Sequence, residues 1–165
     1  MYPVYEIDRE QAEQIINVEE GFLNDVKAKE IKPAKLSETV SAFANAGGGD
    51  IYIGISEDGG KKDREWRGFD DVEAANDIIQ TLFQSHPFGN HLQFEYFSCA
   101  GLDGYILHVA VKKVKEIVKS SNGEAFVRLN AGKAKIKTDE QLRQLELDKG
   151  IVTFEDEWVN VDIKR

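Results

Sequence analysis

The residues able to do chemistry in this chain are mainly cations gathered in short clusters. Lys27, Lys29, Lys32 and Lys35 form one, Lys61, Lys62, Arg64 and Arg67 a second, Lys112, Lys113, Lys115 and Lys119 a third, and Arg128, Lys133, Lys135 and Lys137 a fourth. Taken singly, each reads as a solvated face. Brought together by the fold, they would line a groove for nucleic-acid phosphates, which lysine and arginine bind by displacing counterions. Gly47-Gly48-Gly49 adds a corner where backbone N–H groups can approach an anion.

Other chemistries lack their residues. A Walker loop needs a lysine and a hydroxyl residue directly after its last glycine, at a helix start. Here the glycines close a helix and Asp50 follows them. The dinucleotide fingerprint fails because helix and strand come in the reverse order. His86 and His91 flank a Pro-Gly turn without a cysteine partner or a His-Glu helix pattern, which argues against zinc. His108 shares a strand face with Ile106 and Ala110 and reads as a satisfied residue at a sheet–helix boundary. The single cysteine, Cys99, rules out an internal disulfide and a cysteine zinc cluster, and no Ser-His or Cys-His triad is evident.

The element that must position these groups is the stretch from 36 to 58. Leu36, Val40 and Phe43 recur at helical spacing after Pro33, a good first-turn residue. Asn45, Ala46 and the three glycines end the helix, and Ile51, Ile53 and Ile55 alternate with Tyr52 and Gly54 as a buried strand. Upstream, residues 6 to 23 read as a first helix capped by Asp8 and broken at Gly21, followed by a short strand from Phe22 to Val26. Downstream, Asp58-Gly59-Gly60 is a turn, closed into a hairpin or left as a loop, with Trp66 and Phe69 as its anchors. A helix follows over 71 to 85, then an antiparallel hairpin of 92–98 with 105–111. After the Ser121-Asn122-Gly123 turn comes a strand over 125–129, ended by Asn130, Ala131 and Gly132. Thr138 and Gln141 make a capping box for a last helix with Leu142, Leu145 and Leu147 inward. These elements predict an α/β (α+β) fold: a mixed, largely antiparallel sheet with packed helices.

A length of 165 residues suits one domain, with 41% hydrophobic and 31% charged residues typical of a globular protein. The domain is expected over 1–150, with 151–165 as an acidic tail that begins a linker to a further domain. MYPVYEIDRE is acidic without an apolar run and does not read as a secretory signal, and no later run approaches membrane length, so no membrane role is expected and the cytoplasm is the expected compartment. The net charge of −9 opposes nucleic-acid binding on its face, but residues 1–25 carry −6 and 138–165 carry −4. The middle of the chain is left at +1.

The run AFANAGGGDIYIGI, with Glu20, Asp25 and Lys27 before it and AFVRLNAG at 125–132 after it, resembles the Schlafen AlbA-type domain. That family pairs an acid with a second five positions on and a lysine two further. A "sAfaNt-GG-lliGv" block, a "vl-i-V" strand (Tyr105 to Val111 here) and a "yiRvgs" strand (Phe126 to Arg128) follow. The likeness covers about residues 18–150. It implies a DNA- or RNA-binding domain of bacterial regulatory or phage-defence proteins and supplies Lys27 and Arg128 as contacts, to which the basic clusters and the glycine corner add Lys29, Lys133, Asn45, Gly47 and Gly48. It also implies, as an alternative, a Mg²⁺- or Mn²⁺-dependent endonuclease with Glu20, Asp25 and Lys27 catalytic. Ser56 stands directly after the strand, so the third acid would be Glu57 or Asp58, giving a metal set of Glu20, Asp25 and Asp58. Animal Schlafen cores pair two such units, which implies a homodimer here. A scaffold for protein partners is the remaining alternative. On a single extended strand Glu20 and Asp25 would face opposite ways, so a bend at Gly21 is required to bring them together.

Overall fold

The computed structural model describes residues 2–151. Its elements run β1 (Val4–Ile7), α1 (Arg9–Ile16), β2 (Asn24–Lys27), α2 (Pro33–Ala44), β3 (Gly49–Ile53), β4 (Ile55–Glu57) and β5 (Arg64–Trp66). They continue as α3 (Asn76–Phe83), β6 (Leu92–Cys99), β7 (Ile106–Val111), β8 (Phe126–Leu129), β9 (Gly132–Lys135) and α4 (Asp139–Asp148). Five strands form one sheet in the order β1-β6-β7-β3-β2, while β4–β5 and β8–β9 are separate two-stranded ribbons. The centre of the sheet is antiparallel, and both edge strands, β1 on β6 and β2 on β3, pair in parallel. The mixed α+β architecture expected from the sequence is the one observed.

Strand periodicity divides the core in two. Leu107, Val109 and Val111 of β7, with Ile51 and Ile53 of β3, meet α2 and α3 through Leu36, Val40, Phe43, Ile78 and Leu82. Ile106, on the opposite face, packs with Ala12 of α1, Ile55 and Trp66. Helix α2 is covered on nearly every side, and its small residues permit this. Ser41 Oγ donates to Val118 O at 2.7 Å and accepts from Phe126 N at 3.0 Å. Hydroxyls thus tie the segment from 118 to 126 to a helix that would otherwise bury unpaired backbone groups.

Several boundaries differ from the sequence reading. Residues 4–7 form an edge strand, because β6 offers Val4–Ile7 a parallel ladder that local periodicity does not reveal. The first helix is therefore only Arg9–Ile16, with the Asp8–Gln11 capping box at its start and Asn17 at its end. The strand expected at 22–26 is Asn24–Lys27. The helix expected at 71–85 begins as a 3₁₀ turn over Val72–Ala75, capped by Asp71, before α3. The 58–60 turn does close a hairpin, β4–β5. The chain also continues past 129 into β9, folding back on β8 through Asn130 at φ 55°. The 92–99/106–111 hairpin, the Thr138–Gln141 capping box and the buried Trp66 and Phe69 stand as expected. Among the described residues no helix is long and apolar enough to cross a membrane. The acidic tail lies, from residue 152 on, outside the described residues.

Candidate nucleic-acid interface

Asp25 sits on the edge strand β2 with its side chain turned toward α2 and the β8–β9 ribbon, and it is 2% exposed. A buried carboxylate needs cations and donors to hold its charge. Arg128 Nη1 is 3.1 Å from Asp25 Oδ2 and Lys27 Nζ is 3.3 Å from the same atom. The rest of the Arg128 guanidinium donates to Gly21 O at 3.0 Å and Asn24 O at 3.4 Å, and lies 4.5 Å over the Phe43 ring. Arg128 therefore clasps both ends of the 21–24 turn. Gly21 N–H donates to Asn24 O within it, and this turn supplies the bend that brings Glu20 back toward Asp25.

Glu20 belongs to a second cluster, built on Arg64. The spacing of Arg64 and Trp66 in β5 turns both inward, and the Arg64 side chain is 2% exposed. Its Nη1 donates to Ile16 O and Val18 O at the end of α1, its Nη2 meets Glu20 at 3.1 Å, and its Nε meets Glu57 at 3.2 Å. Burial, the charge of Asp25, and a hydrogen bond and charge from Glu57 push the Glu20 carboxyl above its ordinary range, against the pull of Arg64. Of the two acids that could join Glu20 and Asp25, the structure brings Glu57. Asp58 points away, 82% exposed, toward Arg67.

These carboxylates do not fit a divalent cation as they stand. A hard cation needs several oxygens converging on one point. Here each carboxylate already has a guanidinium as its counter-ion, and no three acidic, histidine or cysteine groups among the described residues are placed to share an ion.

The residues that make the glycine corner are mostly interior. Asn45 is 3% exposed; its Nδ2 donates to Val118 O and Phe126 O, and its Oδ1 accepts from Val118 N and Lys149 Nζ. It joins the end of α2 to three other segments and faces no solvent. Gly48, at φ +75°, donates its N–H to Phe43 O, and a Cβ there would lie 2.6 Å from Val111 O. Gly47 alone of the pair is exposed. Lys29 is held by Gly68 O at 3.2 Å.

Three ammonium groups remain around Asp25. Lys27 from β2 and Lys133 from β9 have side chains 28% and 21% exposed, and Lys35 from the first turn of α2 is 64% exposed. Glu38 pairs with Lys35 at 3.5 Å and with Lys133 at 3.8 Å. Burial and the charges of Lys27 and Lys35 nonetheless push the Lys133 ammonium below its ordinary value. Parts of the first and fourth lysine clusters thus converge. Arg64 and Arg128 became structural cations, and a readable signal of that was their place in alternation with buried neighbours. The contacts of Glu38 with Lys133 and of Arg64 with Glu20 join segments far apart in sequence and left no local pattern.

Fold and site together define a small α+β domain that presents lysines over a buried, arginine-locked acid at a sheet edge. The family described as Schlafen, AlbA_2 matches residues 20–137, well over half of the chain, and the chain belongs to that family. A solved structure, the DIP2311 protein from Corynebacterium diphtheriae, is similar in fold at 17% identity with a TM-score of 0.57. The match covers 82% of this chain and 31% of that one, so the chain spans about a third of the length of that protein. Comparison with curated proteins finds no match.

Proposed function

We propose that the chain is a nucleic-acid-binding domain, of DNA or RNA, in a bacterial regulatory or phage-defence protein, and that Lys27, Lys35 and Lys133 contact the phosphate backbone. The observation that carries this is the convergence of three ammonium groups from β2, α2 and β9, where burial first, and then the charges of Lys27 and Lys35, lower the pKa of Lys133. Such crowding favours an anion at the same place. Membership of the family supports the same class of ligand, and the regulatory or defence setting rests on the family likeness alone. The test is a salt series with labelled single- and double-stranded probes between about 50 and about 200 mM. Wild type should weaken steeply over that range. Lys27→Gln and Lys133→Gln should each weaken binding and each lower the salt slope by about one. Binding that ignores both salt and the two substitutions would remove this reading.

Metal-dependent cleavage of RNA or DNA is the alternative that the family likeness implies, and it would require Glu20, Asp25 and Glu57 to leave their arginine partners before they could share a cation. Incubation of the same probes with Mn²⁺, Mg²⁺ or EDTA tests it. Fragments that need metal and vanish in Glu20→Ala would support it, and intact probe under every condition would oppose it. A homodimer would double the lysine patch, and light scattering of the free chain distinguishes one copy from two.

A further inference from the structure

Apolar side chains rim the lysine patch where a purely electrostatic surface would have none. Phe22 and Leu23, on the turn between Glu20 and Asp25, are 59% and 57% exposed, and Leu129, next to Arg128, is 58% exposed. Scattered exposed apolar residues are ordinary on a globular protein. Here three of the seven exposed large apolar residues among the described ones lie on two segments held together by one buried guanidinium, which ties them to one part of the surface. The turn is also rigid: Gly21 N–H bonds Asn24 O, and Arg128 holds the carbonyls of Gly21 and Asn24. Phe22 is 59% exposed, and among the described residues no ring stacks on it.

We infer that Phe22, flanked by Leu23 and Leu129, is a stacking platform for unpaired bases, and that the ligand of this surface is single-stranded nucleic acid with its phosphates on Lys27 and Lys133. The inference rests on the nucleic-acid reading above and narrows it. An aromatic face beside a cationic groove is the combination that single strands use, because their bases are free to leave the backbone and stack, whereas paired bases in a duplex are covered by their neighbours. A polar partner protein would gain little from an open phenyl ring, and a duplex would meet the lysines without using it.

The experiment compares a single strand of about ten nucleotides, carrying 2-aminopurine at its centre, with the same strand annealed to its complement. Wild type should prefer the single strand and quench the 2-aminopurine emission as the base stacks. Phe22→Ala should lose about tenfold in single-strand affinity and the quenching, with duplex affinity and melting temperature unchanged. Phe22→Trp should restore both. Equal affinity for the two probes, or a Phe22→Ala variant indistinguishable from wild type, overturns this inference while leaving the lysine patch intact. Loss of binding to every probe would remove the nucleic-acid reading and this one with it. Concentration-dependent dimerisation abolished by Phe22→Ala would identify the rim as an interface between copies and overturn it as well.

Discussion

Removing the Arg128 side chain is the sharpest test of whether that residue holds the fold or holds a ligand. Its side chain is 2% exposed, and it supplies the ion pair to Asp25, two hydrogen bonds to the 21–24 turn and the stack on Phe43. In Arg128→Ala, Asp25 keeps only Lys27 at 3.3 Å while remaining buried with a side chain 3% exposed. Breaking a buried pair from one side costs about 3–5 kcal/mol, because the other charge is left uncompensated. At about 2–4 °C per kcal/mol for a chain of this size, the melting temperature should fall by roughly 6–20 °C. Urea unfolding and calorimetry measure both. Arg128→Lys should recover only part of the loss, since an ammonium cannot reproduce the planar fork or lie flat on Phe43. Removing both charges, in Asp25→Asn with Arg128→Met, should cost less than the sum of the single changes, which gives the coupling directly. Were Arg128→Ala as stable as wild type to within about 1 kcal/mol, yet defective in nucleic-acid binding, the clasp would be refuted and the arginine would be a surface phosphate contact.

Two further outcomes follow from the same geometry. Gly48→Ala should destabilise by about 1–3 kcal/mol or more, because φ is +75° and the new Cβ would meet Val111 O at 2.6 Å and Lys113 N at 2.9 Å. Gly47→Ala, whose Cβ would touch only Leu23 at 3.8 Å, should be near neutral in the same urea titration. Stability should also fall on both sides of neutrality. His91, fully buried, has its pKa lowered from 6.5 to about 4 by burial and by the charges of His86 and Lys149. The unfolded chain then binds the extra proton between those values, and stability drops as pH falls from 6.5 to about 4. For His108, burial opposes the charge, but hydrogen bonds to Asp50 at 2.7 Å and Glu95 at 2.8 Å outweigh it and raise the pKa. Its contribution is full below 6.5 and is lost as pH rises through the raised value. Imidazole NMR titration should place the two midpoints on opposite sides of 6.5, and a shared midpoint would refute the argument.

The parts of the fold legible in the sequence were those fixed by local periodicity and caps. The β6–β7 hairpin, α2 and its glycine corner, and the Thr138 capping box each carry their signal within a few residues. β1 was not legible, because four residues at an edge become a strand only through Tyr96–Cys99, some ninety positions away. β9 failed for a related reason: Asn130-Ala131 reads as a terminator, and only the positive φ of Asn130 turns it into a hairpin. At the candidate site, the spacing of Glu20, Asp25 and Lys27 marks residues that the structure places together at the β2 edge, and the converging lysines lie within the clusters read from charge. Burial was what the sequence could not show. Asn45 and Arg128 have the chemistry of phosphate contacts and the surroundings of core residues.

That distinction separates what makes this chain recognisable from what could make it act. The residues that carry the family likeness, Asn45, Gly48, Asp25 and Arg128, are interior, and each fixes one segment against another. Asn45 secures the end of α2 to the strand that bears Arg128, and Arg128 secures that strand to the turn that bears Phe22. Lys27 and Lys133 extend from opposite walls of this frame, one beside Asp25 and one in register with Arg128. Pairing Asp25 with Arg128 cancels the buried carboxylate's charge, so the field at the rim is set by the ammonium groups of Lys27, Lys35 and Lys133. On the proposed reading, the frame can stay constant while exposed Phe22 and Lys35 and half-buried Lys133 set affinity and ligand preference. Substitutions at those positions should alter binding with little change in stability, and substitutions in the frame should do the reverse.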